Sequence, residues 1–274
     1  MRWLHLFNQI LTILLILNAK ANAIIGGEFA ISNEFPFVVN IYNHSLDYTD
    51  HLCGATLVEK KWVLTAAHCV LEDVTDKSLG VIKKNELTLY IGSNDITGKY
   101  GRALTVKEIK IHPDFNWPNY DVALIEINES VTDIPYVLLN DKTNIESFPN
   151  LSAIATGWGL VDTVGKIQSD FLKKINLQIV PKAICNKDNW VLDHGWKIEA
   201  NTLCTQTNFG TNATCAGDSG GPLLIKNINT YIQIGIISWG SACRLAFINR
   251  QSNVEGYSDI SAAYPWIQSL INPK

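Results

Sequence analysis

The chain has 274 residues, 47% of them hydrophobic and 18% charged, and a net charge of −4. That composition supplies ample material for a packed core and excludes a disordered chain. There is no basic stripe to suit nucleic acid or an anionic membrane, and the length suits one all-β domain or two small barrels.

The first element is a leader. Arg2 and His5 precede the apolar run Leu11-Thr12-Ile13-Leu14-Leu15-Ile16-Leu17, and Ala21 and Ala23 follow at the small-residue positions a signal peptidase requires. The run is roughly a dozen residues, short of the ~20 that span a bilayer. Residues 1–23 therefore read as a secretory signal peptide and residues 24–274 as a secreted chain with no membrane anchor. The leader carries Arg2 and Lys20 and no acidic residue, so its loss makes the remainder more acidic.

Beyond residue 23, short runs rich in Val, Ile, Leu and Tyr recur between turn signals. They include Phe37-Val38-Val39, Leu87-Thr88-Leu89-Tyr90-Ile91, Val122-Ala123-Leu124-Ile125 and Ile232-Gln233-Ile234-Gly235-Ile236-Ile237. Some are continuous and others alternate, as strands of closed barrels with filled interiors do. The end differs: from Ile260 to Ile271 a serine N-cap, Ser261, precedes an apolar helical spacing, predicting a short terminal helix. The rest reads all-β.

The six cysteines, Cys53, Cys69, Cys185, Cys204, Cys215 and Cys243, all lie in the secreted part. An even number there favours three disulfides over metal binding, and spacing alone leaves the pairing open. No CxxC pair or histidine cluster completes a zinc site, so no metal is expected. Glycosylation sequons stand at Asn43, Asn128, Asn150 and Asn212.

Three segments carry chemistry: Thr65-Ala66-Ala67-His68-Cys69, Asp121-Val122-Ala123-Leu124-Ile125 and Gly217-Asp218-Ser219-Gly220-Gly221-Pro222. A serine hydroxyl needs a positioned base to become a nucleophile near neutral pH, and histidine has the fitting pKa. With Ile24-Ile25-Gly26-Gly27, Thr156-Gly157-Trp158-Gly159 and Ser238-Trp239-Gly240, in this order, the chain resembles the chymotrypsin family of serine peptidases across residues 24–274.

The resemblance implies two packed six-stranded antiparallel β-barrels and a short C-terminal α-helix, divided as 24–136 and 137–274. The mechanism it implies is carried over from the family's own template. His68 would be the base, Ser219 the nucleophile, and Asp121 the group that orients the imidazole, with Ser238 bonded to Asp121. The N–H groups of Gly217 and Ser219 would form the oxyanion hole. The cysteines would pair as Cys53–Cys69, Cys185–Cys204 and Cys215–Cys243. No cofactor is needed. The implied partners are protein or peptide substrates and protein protease inhibitors, and the implied state is a monomer.

In this family a free amino-terminal Ile pairs with the carboxylate beside the nucleophile, here Ile24 with Asp218, and so orders the oxyanion loop. Relatives expose it by a cut after a basic residue, but position 23 is alanine. Two routes remain: signal peptidase cuts after Ala23, the preferred one, or it cuts after Ala21 and a dipeptidyl peptidase removes Asn22-Ala23. By position relative to Ser219, Ala213 would be the floor of the specificity pocket, with Thr214 beside it and Ser238, Trp239 and Gly240 along its wall. An open apolar slot of this kind suits Phe, Tyr, Trp or Leu. Glu255, counted back from Tyr257, would face either the pocket, admitting Lys or Arg, or solvent.

Overall fold

The computed structural model describes residues 24, 27–45, 51–75, 80–141, 151–161, 167–207, 213–240 and 253–273. The signal peptide, Asn150, Asn212 and Cys243 lie outside them. Among the described residues no helix is long and apolar enough to cross a membrane.

The chain is built from strands wound into two rings. After β1 (Glu28–Phe29), the first ring holds β2 (Val38–Asn43), β3 (His51–Glu59), β4 (Trp62–Thr65), β5 (Leu87–Ile91), β6 (Arg102–Ile111) and β7 (Ala123–Ile127). These close as an antiparallel barrel in the order β2-β3-β4-β7-β6-β5. After β8 (Leu138–Leu139), the second ring holds β9 (Ser152–Gly157), β10 (Lys173–Val180), β11 (Thr202–Thr207), β12 (Pro222–Asn227), β13 (Thr230–Gly240) and β14 (Asn253–Asp259). They run β10-β11-β14-β13-β12-β9, and pairing of β9 with β10 closes the ring.

Side-chain period explains the rings. Leu87-Thr88-Leu89-Tyr90-Ile91 buries every second residue, turning Leu87, Leu89 and Ile91 inward. Ala123-Leu124-Ile125 is buried at every position, so both faces of β7 are covered while β4 and β6 flank its edges. Each fully buried Leu or Ile contributes about 1.5–3 kcal/mol.

The two rings exchange their chain ends. β1 pairs with β10 of the second ring, and Ile24 is buried there with Ala155, Leu223 and Tyr257. The terminal helix returns to the first ring's core through Ile260, Ala263 and Ile267. A buried hydrogen bond from Thr56 Oγ1 to Gln233 Oε1, 2.7 Å, joins the rings between them.

The helices depart from the sequence reading in two ways. The cap of the terminal helix (Ile260–Ile271) is Asp259, not Ser261. Asp259 Oδ1 accepts from the Ser261 N–H at 2.8 Å and from its hydroxyl at 2.7 Å, so the carboxylate takes the role assigned to the serine. Two further short helices, α1 (Lys182–Cys185) and α2 (Asn189–Asp193), interrupt a region read as all-β. Asp188 caps α2, accepting from the Trp190 N–H at 2.9 Å. The terminal helix is thus α3.

Candidate active site

His68 lies in a single 3-10 turn, Ala67–Val70, that leaves β4. The Cys53–Cys69 disulfide ties that turn to β3. Asp121 stands just ahead of β7, antiparallel neighbour of β4, so the pairing of Thr65 with Ala123 brings the two side chains together. Asp121 is fully buried. Its Oδ1 accepts from the His68 N–H at 2.9 Å, and its Oδ2 accepts from His68 Nδ1 at 2.7 Å and from the Ser238 hydroxyl at 2.6 Å. Ser258 Oγ donates to the Asp121 carbonyl at 2.9 Å. Donors so placed satisfy both oxygens of the buried carboxylate and fix the ring that faces it.

Ser219 belongs to the second ring, in the turn ahead of β12. Its carbonyl accepts from the Gly54 N–H of the first ring at 2.8 Å. Ser219 and His68 line one open cleft of about 690 Å³ with Thr214, Cys215, Ala216, Ser238, Trp239 and Gly240. His68 Nε2 lies 3.7 Å from the Cys69 sulfur, and no hydrogen bond from it to Ser219 closes. Catalytic hydrogen bonds are commonly long until substrate is bound.

The segment before Ser219 is held from several sides. Gly217 has φ of 92°, and a Cβ there would come within 3.0 Å of Gln168 Nε2 and 3.1 Å of Gly159 Cα, so only glycine fits. His51 Nε2 faces the Gly217 carbonyl at 2.8 Å, and its Nδ1 faces Asn40 Oδ1. Burial lowers the His51 pKa to about 4, opposed by its hydrogen bond to the Gly217 carbonyl. Neither the Gly217 nor the Ser219 N–H is used by another described residue, which leaves two donors beside the hydroxyl.

Asp218 is fully buried, and burial pushes its carboxyl up to about 7. Acting against that are the N–H groups of Cys215 and Gly159, each donating at 2.8 Å, and the charge of Lys173. The wall around it explains Gly157-Trp158-Gly159: a Cβ on Gly157 would sit 2.2 Å from Asp218 Oδ1, and one on Gly159 2.5 Å from its carboxyl carbon. Trp158 is buried between them and donates from its indole to the Asn94 carbonyl at 2.8 Å. Ile24 is buried in the second ring's core, yet the ion pair expected between its ammonium and Asp218 is absent among the described contacts. In the full-length chain the Ile24 nitrogen is an amide and carries no charge.

Ala213 is fully buried, next to Thr214, which lines the open cleft. Glu255 faces neither the open cleft nor solvent: it is 1% exposed, with Oε1 accepting from the Thr214 N–H at 2.8 Å and Oε2 from the Tyr257 hydroxyl at 2.6 Å. It stands opposite Thr205 on β11 and Gly240 on β13, and its carboxylate is held behind Thr214, a residue that lines the cleft. Burial pushes its carboxyl up to about 7, opposed by those two hydrogen bonds.

The sequence reading missed the far wall. Trp117, Trp190, Trp196 and His194 join Trp239 along the cleft. Trp117 meets the His68 ring edge-on at 5.2 Å, and Trp190 stacks on Trp239 at 5.7 Å. No spacing rule links these positions; the Asp188 cap ahead of Trp190 is the one local signal that a helix would present it. Of the disulfides, Cys185–Cys204 anchors α1 to β11. Cys215 is also disulfide-bonded, and its expected partner Cys243 lies outside the described residues. Of the sequons, Asn128 is exposed, and Asn43 is 4% exposed at the end of β2 with its Oδ1 accepting from the Ser45 N–H and hydroxyl.

A profile of the trypsin family ("Trypsin") matches residues 24–267. "Tryptase" of Mus musculus is 31% identical over 258 residues, covering 90% of this chain and 88% of that protein. With both barrels and the cleft between them in place, the chain belongs to the trypsin family and is a chymotrypsin-like serine endopeptidase, a hydrolase acting on protein or peptide substrates.

Proposed function

We propose that Ser219, His68 and Asp121 form the catalytic triad and that the enzyme cleaves after large apolar residues. The observation that carries the triad is the bond from His68 Nδ1 to fully buried Asp121, with Ser219 opening on the same cleft. Nδ1 must bear a proton to donate to Asp121, which leaves Nε2 with its lone pair toward the cleft as base. Ser219 Oγ attacks the substrate carbonyl and passes its proton to Nε2; the imidazolium is stabilised by Asp121 and then protonates the leaving amine. Water repeats the sequence on the acyl-enzyme.

The N–H groups of Gly217 and Ser219 receive the oxyanion. Alanine at Gly217 keeps the N–H but cannot hold φ of 92° beside Gly159, so it should displace that donor and lower kcat by about 10²–10³-fold with a smaller change in KM. Steady-state kinetics on one peptide check this. A KM-only effect would remove Gly217 from the oxyanion site.

Apolar preference is supported by a cleft walled by Trp239 and Gly240, with no carboxylate lining it among the described residues. The edge of β13 at Ser238–Gly240 offers main-chain pairing for the substrate. Glu255 is bonded to the N–H of Thr214, which lines the cleft, so its charge would act on a cationic side chain bound there. Cleavage after Lys, relative to Phe, should therefore rise as pH passes about 7 and Glu255 ionises. Glu255→Gln should abolish that rise and leave Phe cleavage within about threefold. A pH-independent ratio in the wild type would remove Glu255 from specificity.

The enzyme is secreted after loss of residues 1–23 and works as a monomer open to protein inhibitors, with Asn128 available to a glycan. A peptide panel varying only the residue before the scissile bond, tested on chain beginning at Ile24, checks the whole reading. Preference for Phe, Tyr, Trp or Leu is expected. Exclusive cleavage after Lys or Arg would overturn the apolar assignment.

A further inference from the structure

Trp239 lies on the strand edge offered to the substrate, yet it is only 6% exposed. The reason is on the next strand. Gly256 of β14 stands opposite Trp239, where the register between β13 and β14 shifts, and a shift of that kind re-aims a side chain. A Cβ on Gly256 would fall inside the indole, against its Cε2, Cζ2 and Nε1, where no carbon fits. The backbone at 256 does not itself demand glycine, since its φ lies outside the left-handed region; the indole does. Trp239 thus fills the space that any other residue at 256 would claim, and its ring lies down on β14.

The ring is held there although its N–H is buried without an acceptor among the described residues, which is destabilising. Trp190 stacks over it at 5.7 Å and 20°, and Trp196 meets it at 5.7 Å and 68°. Trp196 in turn meets Trp117, from the loop between β6 and β7, at 6.0 Å. Tryptophans from both halves of the chain therefore border one stretch of the cleft that Ser219 opens on. A peptide paired along Ser238–Gly240 as an added strand sends alternate side chains to one side. With the residue before the scissile bond beside Gly240, a residue upstream of it faces this stretch.

We propose that Gly256 is a positioning residue for substrate choice: by letting Trp239 lie down, it keeps open a second apolar recess, bordered by Trp117, Trp190 and Trp196, that takes a large aromatic or aliphatic side chain upstream of the scissile bond. A side chain at 256 lifts the indole into that recess. The inference deepens the endopeptidase reading above and rests on Ser219 being the nucleophile and on substrate pairing with β13.

The test uses chain beginning at Ile24 and peptides that keep Phe before the scissile bond, with Ala, Leu, Phe, Trp, Lys or Asp placed in turn at each upstream position. Values of kcat and KM, labelling of Ser219 by a small fluorophosphonate with no upstream residues, and thermal unfolding are measured for wild type, Gly256→Ala, Trp239→Leu and the double variant. In the wild type, Leu, Phe or Trp at one upstream position should raise kcat/KM about tenfold over Ala, the order of effect that burying such a side chain has. Gly256→Ala should cut that advantage to about twofold or less, through KM, while labelling stays within about threefold. In Trp239→Leu there is no ring to displace, so adding Gly256→Ala should shift the ratio no further. If Gly256→Ala alone does not fold, the double variant should, because the collision is gone; a double variant that also fails would overturn the proposal. So would a wild type indifferent to every upstream residue or favouring only Lys there, and so would a Gly256→Ala protein that slows all peptides and labelling alike. Absence of labelling in folded wild type would instead overturn the assignment of Ser219, on which the proposal stands.

Discussion

Replacing Ser219 with alanine should lower kcat by about 10⁴–10⁶-fold while the protein folds and binds peptide almost unchanged, a magnitude carried over from the family's own template. The hydroxyl is half-exposed on the cleft and makes no hydrogen bond among the described residues, so its removal strands no buried partner. The turn is held by its backbone: the Ser219 carbonyl is bonded to Gly54, and the Gly220 N–H donates to the Ile237 carbonyl at 2.8 Å. Loss of an exposed hydroxyl from such a turn changes stability by less than about 0.5 kcal/mol. Thermal unfolding and peptide hydrolysis, measured together, check both halves. A variant retaining more than about a hundredth of the activity would mean that another group attacks the carbonyl.

Asp121→Asn should cost about 10⁴-fold in kcat, again the size seen in the family's template, but for a reason visible in these hydrogen bonds. Asp121 accepts three side-chain or backbone donors through its two oxygens: the His68 N–H, His68 Nδ1 and the Ser238 hydroxyl. An asparagine must turn its amide nitrogen toward one side of that set. If it faces His68 Nδ1, the ring must accept there and carry its proton on Nε2, which removes the base from the cleft. If it faces the His68 N–H instead, two donors collide in a fully buried site, at about 1–3 kcal/mol. The pH profile separates the two: a tautomer defect leaves activity that recovers as hydroxide takes over the base's work, whereas misplacement of His68 lowers the rate at every pH. Circular dichroism and unfolding show which penalty the protein accepts.

Where local chemistry sufficed, the sequence was readable. Thr65-Ala66-Ala67-His68-Cys69 and Gly217-Asp218-Ser219 are short segments whose residue types are dictated by a turn and a reaction, and alternation in Leu87–Ile91 marks β5 to the residue. The cap of α3 was misread by two positions because Asp259 and Ser261 are both good caps, and which serves depends on where β14 ends. The helices α1 and α2 are too short, at four and five residues, to show a period. Lys173 and Lys174 look alike in sequence, but strand alternation separates them: Lys174 turns out to bond Glu34 at 2.7 Å, and Lys173 is turned inward and fully buried. Glu255 was placed near the pocket by counting, yet only the pairing of β14 with β11 and β13 and the bond to the Thr214 N–H show its carboxylate held behind a residue that lines the cleft. The tryptophan wall is a tertiary product, gathering residues 117, 190, 196 and 239 from separate segments.

The central claim is that Ser219, activated by His68, is the nucleophile of this endopeptidase. Incubation of chain beginning at Ile24 with a fluorophosphonate, followed by intact-mass and peptide mapping, tests it most directly. The account predicts a single adduct on Ser219, with peptide hydrolysis lost in proportion to its formation and no adduct in Ser219→Ala. Full hydrolysis persisting while Ser219 is modified, or an adduct settling on a different residue as activity disappears, would contradict it.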